Sequence, residues 1–186
     1  MKDNNKGFTL IEMAIVLVII GLILGAVTKG RDILDSAKQK NFYSIFLRGW
    51  DLSVTSYYDR THMILGSTPG TFASSSSYQM DNVIKNLEAV GLEAPTTNAS
   101  KAYVMNYSGQ DVTLTFKTDT NKNYFELASI PVSLAIALDT MVDGEMDGKT
   151  GQFLGDGDKN TGAEWTKLTP ATQDVTTTAR YYINFP

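Results

Sequence analysis

The chain opens its apolar region with Lys6-Gly7-Phe8-Thr9-Leu10-Ile11-Glu12, and fifteen uncharged residues, Met13 to Val27, follow directly. Glu12 is the only charged residue between Phe8 and Val27. At about 1.5 Å rise per residue, a helix over that range spans about 30 Å, which is the hydrocarbon thickness of a bilayer. A single carboxylate is costly in hydrocarbon, so its position at the start of the helix indicates a specific role.

Three interpretations of this segment compete. A secretory signal peptide would be cut after the apolar run at a small-x-small site, but the run ends in Leu24-Gly25-Ala26-Val27-Thr28-Lys29, which matches that site poorly. A plain transmembrane anchor has no use for Glu12, and the helical pattern continues past Val27 into a polar helix. The third interpretation is a cleavage site at the N-terminal end of the apolar run.

That third interpretation rests on Gly7-Phe8-Thr9-Leu10-Ile11-Glu12 and the short basic leader before it, which resemble the type IV prepilin cleavage and methylation motif. The resemblance covers about residues 1–30. It implies that a prepilin peptidase on the cytoplasmic face cuts between Gly7 and Phe8 and N-methylates Phe8. It also implies that Glu12 pairs with the N-terminal amine of a neighbouring subunit during assembly.

The resemblance further implies an organisation and a function. Residues 1–7 are expected to be a leader peptide, residues 8–30 a transmembrane helix that becomes the filament core, and residues 31–186 the amphipathic half of the helix with a globular head. The implied partners are further copies of the chain, other pilins, the prepilin peptidase and an inner-membrane assembly platform. The implied location is the inner membrane for the precursor, then the periplasm, the cell surface or an extracellular filament.

Two alternatives to a pilus subunit stay open. The cleavage motif does not separate a type IV pilin from a pseudopilin of a type II secretion system. A membrane-anchored binding module that never polymerises belongs to a different class, and it predicts an uncut chain.

Composition limits other functions. The formal net charge is −4, and nothing in the chain predicts a basic nucleic-acid footprint. There is no cysteine, and His62 is the only histidine, so disulfides are excluded and little material remains for zinc or acid–base chemistry. No Gly-x-Ser-x-Gly elbow, Cys/His pair or phosphate loop occurs, and we predict a protein that is not an enzyme.

The middle of the chain predicts helices. An apolar stripe at steps of three and four continues the long helix and is expected to pack under a sheet: Tyr43, Phe46, Leu47, Trp50, Val54, Tyr57 and Tyr58. Turn residues 66–70 are predicted to end that helix. A short helix is predicted over residues 81–90, with Asp81 as its cap and Ile84, Leu87 and Val90 on one face.

The second half predicts an antiparallel sheet. Strands are predicted over residues 102–107, 112–117, 124–127 and 180–185, with Val112, Leu114 and Phe116 pointing inward. Pro131 is predicted to open a helix that ends at Gly144, with Leu134, Leu138, Met141 and Val142 on one face. The predicted fold class is α+β and pilin-like, with a long N-terminal helix packed on an antiparallel sheet head. Asn98-Ala99-Ser100 fits the glycosylation sequon, a pattern with frequent chance matches.

An acidic loop between Asp139 and Glu164 is the candidate metal site. Two patterns alternate oxygen ligands there: Asp143-x-Glu145-x-Asp147 and Asp156-x-Asp158-x-Asn160. Such spacing lets a tight loop point several oxygens at one hard cation, and calcium is the predicted ion, although neither pattern is an EF-hand loop. The alternative is a solvated acidic loop whose Asp and Gly residues serve turns. Asp139 has its own alternative, in which its carboxylate satisfies a helix end or a core hydrogen bond.

Overall fold

A computed structural model describes residues 9–65, 78–119, 122–155, 165 and 175–183. The chain divides into two compact units, Met1–Lys38 and Gln39–Pro186. Gly7 and Phe8 of the predicted cleavage site lie outside the described residues, as do Asp156, Asp158 and Asn160 of the acidic loop.

The N-terminal helical region runs from Leu10 to Thr61. It consists of α1 (Leu10–Asn41), a π-helical segment (Phe42–Leu47) and α2 (Arg48–Thr61). Within the second unit, the π-helical segment and α2 share one buried face. Its residues are Phe42, Phe46, Leu47, Trp50, Val54 and Tyr57. The predicted stripe is therefore confirmed in its centre, whereas Tyr43 and Tyr58 are half-exposed.

The end of α2 differs from the prediction. The helix stops at Thr61, because His62 adopts a left-handed conformation (φ 53°) and donates its backbone N–H to Tyr58 O at 2.7 Å. This is the usual way in which a left-handed residue closes a helix. The predicted turn at residues 66–70 lies beyond this end and outside the described residues.

Five strands form one antiparallel sheet in the order β1-β2-β3-β5-β4. Their bounds are β1 Val104–Tyr107, β2 Gln110–Asp119, β3 Lys122–Pro131, β4 Phe153–Gly155 and β5 Thr176–Ile183. The predicted meander β1-β2-β3 and the predicted last strand are confirmed, and Val112, Leu114 and Phe116 are fully buried. The sequence reasoning missed β4, because a strand of three residues is too short to show a period of two.

Two shorter helices complete the head. The structure has α3 at Met80–Ala89 and α4 at Val132–Asp143. The predicted face of α3 packs on the core, with Leu87 fully buried and Ile84 and Val90 partly buried, and Met80 and Val83 are buried beside it. The cap is Gln79 rather than the predicted Asp81. Helix α4 begins after Pro131 and ends at Gly144, as predicted.

The core of the head lies between α2 and one face of the sheet. The Trp50 ring lies 6.4 Å from that of Phe125, and Trp50 Nε1 donates a hydrogen bond to Ala102 O at 3.1 Å. A bonded indole N–H is what allows a tryptophan to be fully buried. The fold is thus α+β, with a long N-terminal helix and an antiparallel sheet in a pilin-like arrangement.

Candidate functional site

The first turn of α1 is closed by a reciprocal pair of side chains. Thr9 precedes the helix, and both its backbone N–H and its hydroxyl donate to Glu12 Oε2 at 2.7 Å. In return, the backbone N–H of Glu12 donates to Thr9 Oγ1 at 3.3 Å. This is a capping box, in which a hydroxyl and a carboxylate three residues apart satisfy amides that have no partner within the helix. The carboxylate also lies at the positive end of the helix dipole.

The capping box explains how Glu12 is held at the helix start. Its Oε2 is hydrogen-bonded to Thr9, the residue that directly follows the predicted cleavage site in sequence. The role of Thr9 as a helix cap was not predicted from the sequence, where Thr9 appears only as part of the cleavage motif. The Thr-x-x-Glu spacing before an apolar run was the signal that could have identified it.

The surface of α1 from Leu10 to Val27 is exposed and, apart from Glu12, apolar or uncharged. None of its residues is buried, and large side chains such as Leu17 (67% exposed) and Leu24 (61% exposed) point outward. The helix is long and apolar enough to cross a membrane by length and composition. The hydroxyl of Thr28 is satisfied within the helix, because it donates hydrogen bonds to Leu24 O and Gly25 O. It therefore does not present an unpaired donor on this apolar surface.

Three glycines leave open space along the same helix. At Gly21, Gly25 and Gly30, an added Cβ would meet no described atom within 4 Å apart from the neighbouring residues and the adjoining backbone of the same helix. Each costs roughly 1 kcal/mol of helix propensity relative to alanine. Small residues allow another helix backbone to approach closely, and this is how helices associate in an apolar medium.

In the described part of the acidic loop, carboxylates accept hydrogen bonds from backbone amides. Asp143 accepts the N–H groups of Gln152 and Phe153, each at 2.8 Å. Gly151 (φ 97°) passes so close to the Asp143 carboxylate that an added Cβ would overlap it. A side chain at position 151 would therefore both strain the backbone and displace this carboxylate.

Asp147 organises the next turn. Its Oδ1 accepts the N–H groups of Lys149 (2.8 Å) and Thr150 (3.0 Å), and its Oδ2 accepts the Thr150 hydroxyl at 2.8 Å. These bonds, first of all the one from the Thr150 backbone, lower the pKa of Asp147. The carboxylate behaves as the cap of a turn, which was the stated alternative to metal binding.

Asp139 is fully buried at the C-terminal half of α4. Its Oδ2 accepts Gly148 N–H at 3.0 Å and Trp165 Nε1–H at 2.6 Å. Burial is the main cause that raises the pKa of Asp139, and these two bonds oppose it. Asp139 therefore fastens the loop and Trp165 to α4, as the alternative based on a core hydrogen bond predicted.

These hydrogen bonds engage the carboxylates of Asp143 and Asp147, which are two of the three predicted calcium ligands in the first pattern, Asp143-x-Glu145-x-Asp147. Asp143 and Asp147 give their oxygens to the backbone, and Glu145 is exposed. In the part of the chain that the structure describes, no three His, Cys, Asp or Glu side chains come together in a way that could hold a metal. The described half of the acidic loop does not fit a calcium site, and the calcium prediction now depends on Asp156, Asp158 and Asn160.

A second electrostatic cluster ties α2 to β5. Arg48 Nη1 donates to Asp51 Oδ2 at 2.7 Å, and Tyr181 lies close enough for its pKa to respond to the Asp51 charge. Burial raises the pKa of Asp51 and raises that of Tyr181 to about 12. This arrangement is that of a packing contact between α2 and β5.

Comparison with known proteins finds a match for one region of the chain. Residues 2–28 match the prokaryotic N-terminal methylation motif, which is the signature of type IV pilins and prepilins. No curated protein and no solved structure matches the chain. The match covers the leader, the predicted cleavage site and the first part of α1.

Proposed function

We propose that this chain, which carries the prokaryotic N-terminal methylation motif of type IV prepilins, is a structural subunit of a type IV pilus-like filament. The motif supports a pilin-like or pseudopilin protein, a structural class, and with the apolar helix it fits an inner-membrane precursor. The observation that carries the proposal is the combination of that motif with the exposed apolar surface of α1.

The proposed cycle begins with cleavage after Gly7 and N-methylation at Phe8 by a prepilin peptidase. Before the cut, the backbone nitrogen of Phe8 is an uncharged amide. After the cut it is a cationic amine, and in sequence it directly precedes Thr9, the first residue of the capping box. The cut thus creates the positive charge that a carboxylate in an apolar setting needs.

Assembly then exchanges one apolar environment for another. The exposed surface of α1 leaves lipid and packs against the helices of neighbouring subunits, so the hydrophobic term changes little between the two states. Glu12 of one subunit pairs with the amine of Phe8 in the next. In a medium of low dielectric constant such a pair mainly offsets the desolvation of both charges, and its directionality fixes the register of the helices.

The capping box lets charge and helix capping be separated by experiment. Glu12→Gln keeps a side chain that can complete a capping box but removes the charge, whereas Thr9→Val removes the hydroxyl and keeps the charge. We expect Glu12→Gln and Glu12→Ala to lose filaments, and Thr9→Val to retain them. Filament yield by electron microscopy is the readout, and the mass of each mature chain controls for cleavage and methylation. Normal filaments from a correctly processed Glu12→Gln would remove the register role of the charge.

Intact mass also tests the proposal as a whole. A mature chain that begins at N-methylated Phe8 supports it, whereas a chain that retains residues 1–7 supports the non-polymerising membrane anchor. Imaging of filaments from cells that carry a tagged head separates a long surface pilus from a pseudopilus of a type II secretion system.

Calcium binding stays a prediction for residues 156–160, and thermal melting tests it. If calcium orders this loop, melting temperatures with calcium and with a chelator will differ, since a ligand that binds only the folded state stabilises it. An Asp143→Asn variant is the matched control, because Asp143 serves backbone amides and its replacement should leave the calcium response intact. Identical melting temperatures with and without calcium would contradict the prediction.

A further inference from the structure

Strand β1 lies at one end of the sheet, so one side of its backbone faces away from every other strand. Leu114 N–H donates to Tyr103 O at 2.8 Å, and this bond sets the phase of the ladder between β1 and β2. In an antiparallel ladder alternate residues bond inward. The backbone groups of Val104 and Asn106 therefore point outward, to the side where another strand could add.

The side chain of Asn98 occupies this outward side. Its Nδ2 donates to Asn106 O at 3.0 Å, and its Oδ1 accepts Asn106 N–H at 2.9 Å. One side-chain amide thus makes both hydrogen bonds that a neighbouring strand would make to Asn106. The other outward N–H, that of Val104, donates to Lys101 O at 3.0 Å.

Both partners of this amide contact are held in place. On one side, the Thr97 hydroxyl donates to Lys101 O at 3.1 Å and fastens the bend that contains Asn98. On the other side, Asn106 Nδ2 donates to Asp111 Oδ1 at 2.8 Å across the ladder to β2. A contact between groups that are already ordered loses little conformational entropy when it forms.

We propose that Asn98 closes the β1 edge against pairing with the same edge of a second copy, and that it does not carry a glycan. An open edge strand is a template for intermolecular pairing, and proteins block such edges explicitly. Membrane tethering concentrates copies of the chain in two dimensions, which makes an open edge more hazardous. The inference does not depend on filament formation.

The geometry of the amide explains why the sequon is not used. Asn98 binds the N–H and the C=O of the same residue, so the proton that Nδ2 donates is the one on the same side as Oδ1. In an N-glycosylated asparagine, the sugar takes that position of the trans amide. A glycan would therefore remove the donor and place a bulky group between Asn98 and β1.

Hydrogen exchange on the full mature chain in detergent micelles tests the edge contact. We expect the Asn106 amide to exchange about tenfold faster in Asn98→Ala than in wild type, which is what one or two net hydrogen bonds are worth. Asn98→Asp keeps an acceptor for Asn106 N–H and loses the donor, so exchange should be intermediate. Ser100→Ala is the matched control, because it destroys the sequon and leaves both Asn98 bonds in place. The Leu114 amide, which is bonded inside the sheet, reports whether any variant unfolds.

Sedimentation of the same samples tests the consequence. Asn98→Ala should self-associate with increasing concentration, whereas wild type and Ser100→Ala should not. Unchanged exchange at Asn106 in both Asn98 variants would overturn the edge contact, and an Asn98→Ala chain as monodisperse as Ser100→Ala would overturn its protective role. A glycan mass on wild type that is absent from Ser100→Ala, both isolated from the native host, would overturn the statement on glycosylation.

Discussion

Carboxylates in this chain act mainly on backbone amides. Glu12 caps α1, Asp143 holds the two amides that enter β4, and Asp147 closes a turn. Asp139 does the same from a fully buried position, and its pKa moves in the direction opposite to that of Asp147. These carboxylates therefore hold backbone segments in place by hydrogen bonding, in addition to any effect of their charge.

The opposite pKa shifts of Asp139 and Asp147 give a pH prediction. The folded state raises the pKa of Asp139, so burial of its charge costs stability above that pKa, and the cost disappears as pH falls toward the ordinary value of 3.8. Wild type should therefore gain stability relative to Asp139→Asn between about pH 7.5 and about pH 5. Urea unfolding of both proteins at the two pH values measures this difference.

Asp147 supplies the matched control. Its folded-state pKa is lowered, so its contribution is present above the ordinary value and is lost only as pH falls through the lowered pKa. The difference between wild type and Asp147→Asn should stay constant over the same interval. A pH-independent difference for Asp139→Asn would show that Asp139 remains ionised throughout.

At the scale of the elements, the turn of the β1–β2 hairpin requires backbone angles that suit only one of its two residues. Ser108 (φ 51°) and Gly109 (φ 87°) both adopt positive φ between Tyr107 and Gln110. This is the type I′ pattern, whose backbone twist matches that of the strands. Glycine adopts positive φ readily, but serine does so at a cost, and asparagine is the residue preferred at the first position.

We expect Ser108→Asn to stabilise the head by about 0.5 kcal/mol and Ser108→Ala to destabilise it by about 1 kcal/mol, because asparagine tolerates the left-handed region and alanine does not. Both substitutions leave strand residues untouched. Thermal or urea unfolding of the three proteins measures the differences. Equal stabilities for the asparagine and alanine variants would contradict the assigned turn.

At the scale of the whole molecule, the two compact units have opposite surfaces. The second unit buries its own apolar residues in a core, whereas α1 exposes nearly all of its large apolar side chains. An apolar surface of this length indicates contact with lipid or with other chains.

The open glycine positions predict where helices approach one another. We expect Gly25→Leu to reduce filament yield strongly, since a large side chain prevents close approach of backbones, and to leave membrane insertion and the melting temperature of the head unchanged. Val18→Leu is the control, because it enlarges an exposed side chain at a position that is already bulky. Filament yield equal to that of wild type in Gly25→Leu would place the close contact elsewhere.

Short-range patterns were sufficient to predict three features: the methylation motif before an apolar helix, the alternation of Val112, Leu114 and Phe116, and helix α4 (Val132–Asp143) between Pro131 and Gly144. These depend on residues a few positions apart, whose periodicity and capping chemistry act locally. The early end of α2 at His62 escaped prediction, because a left-handed histidine has no distinctive local signal.

Features that depend on contacts between segments distant in sequence could be seen only in the folded chain. In the folded chain, β5 lies between β3 and β4, and the buried Asp139 binds Trp165. The side chain of Asn98 binds the outward-facing backbone of Asn106. The physical reason is that a carboxylate or an amide has the same local pattern whether it faces water, a metal or a backbone. Long-range packing selects its partner by bringing donors and acceptors from distant segments within hydrogen-bonding distance.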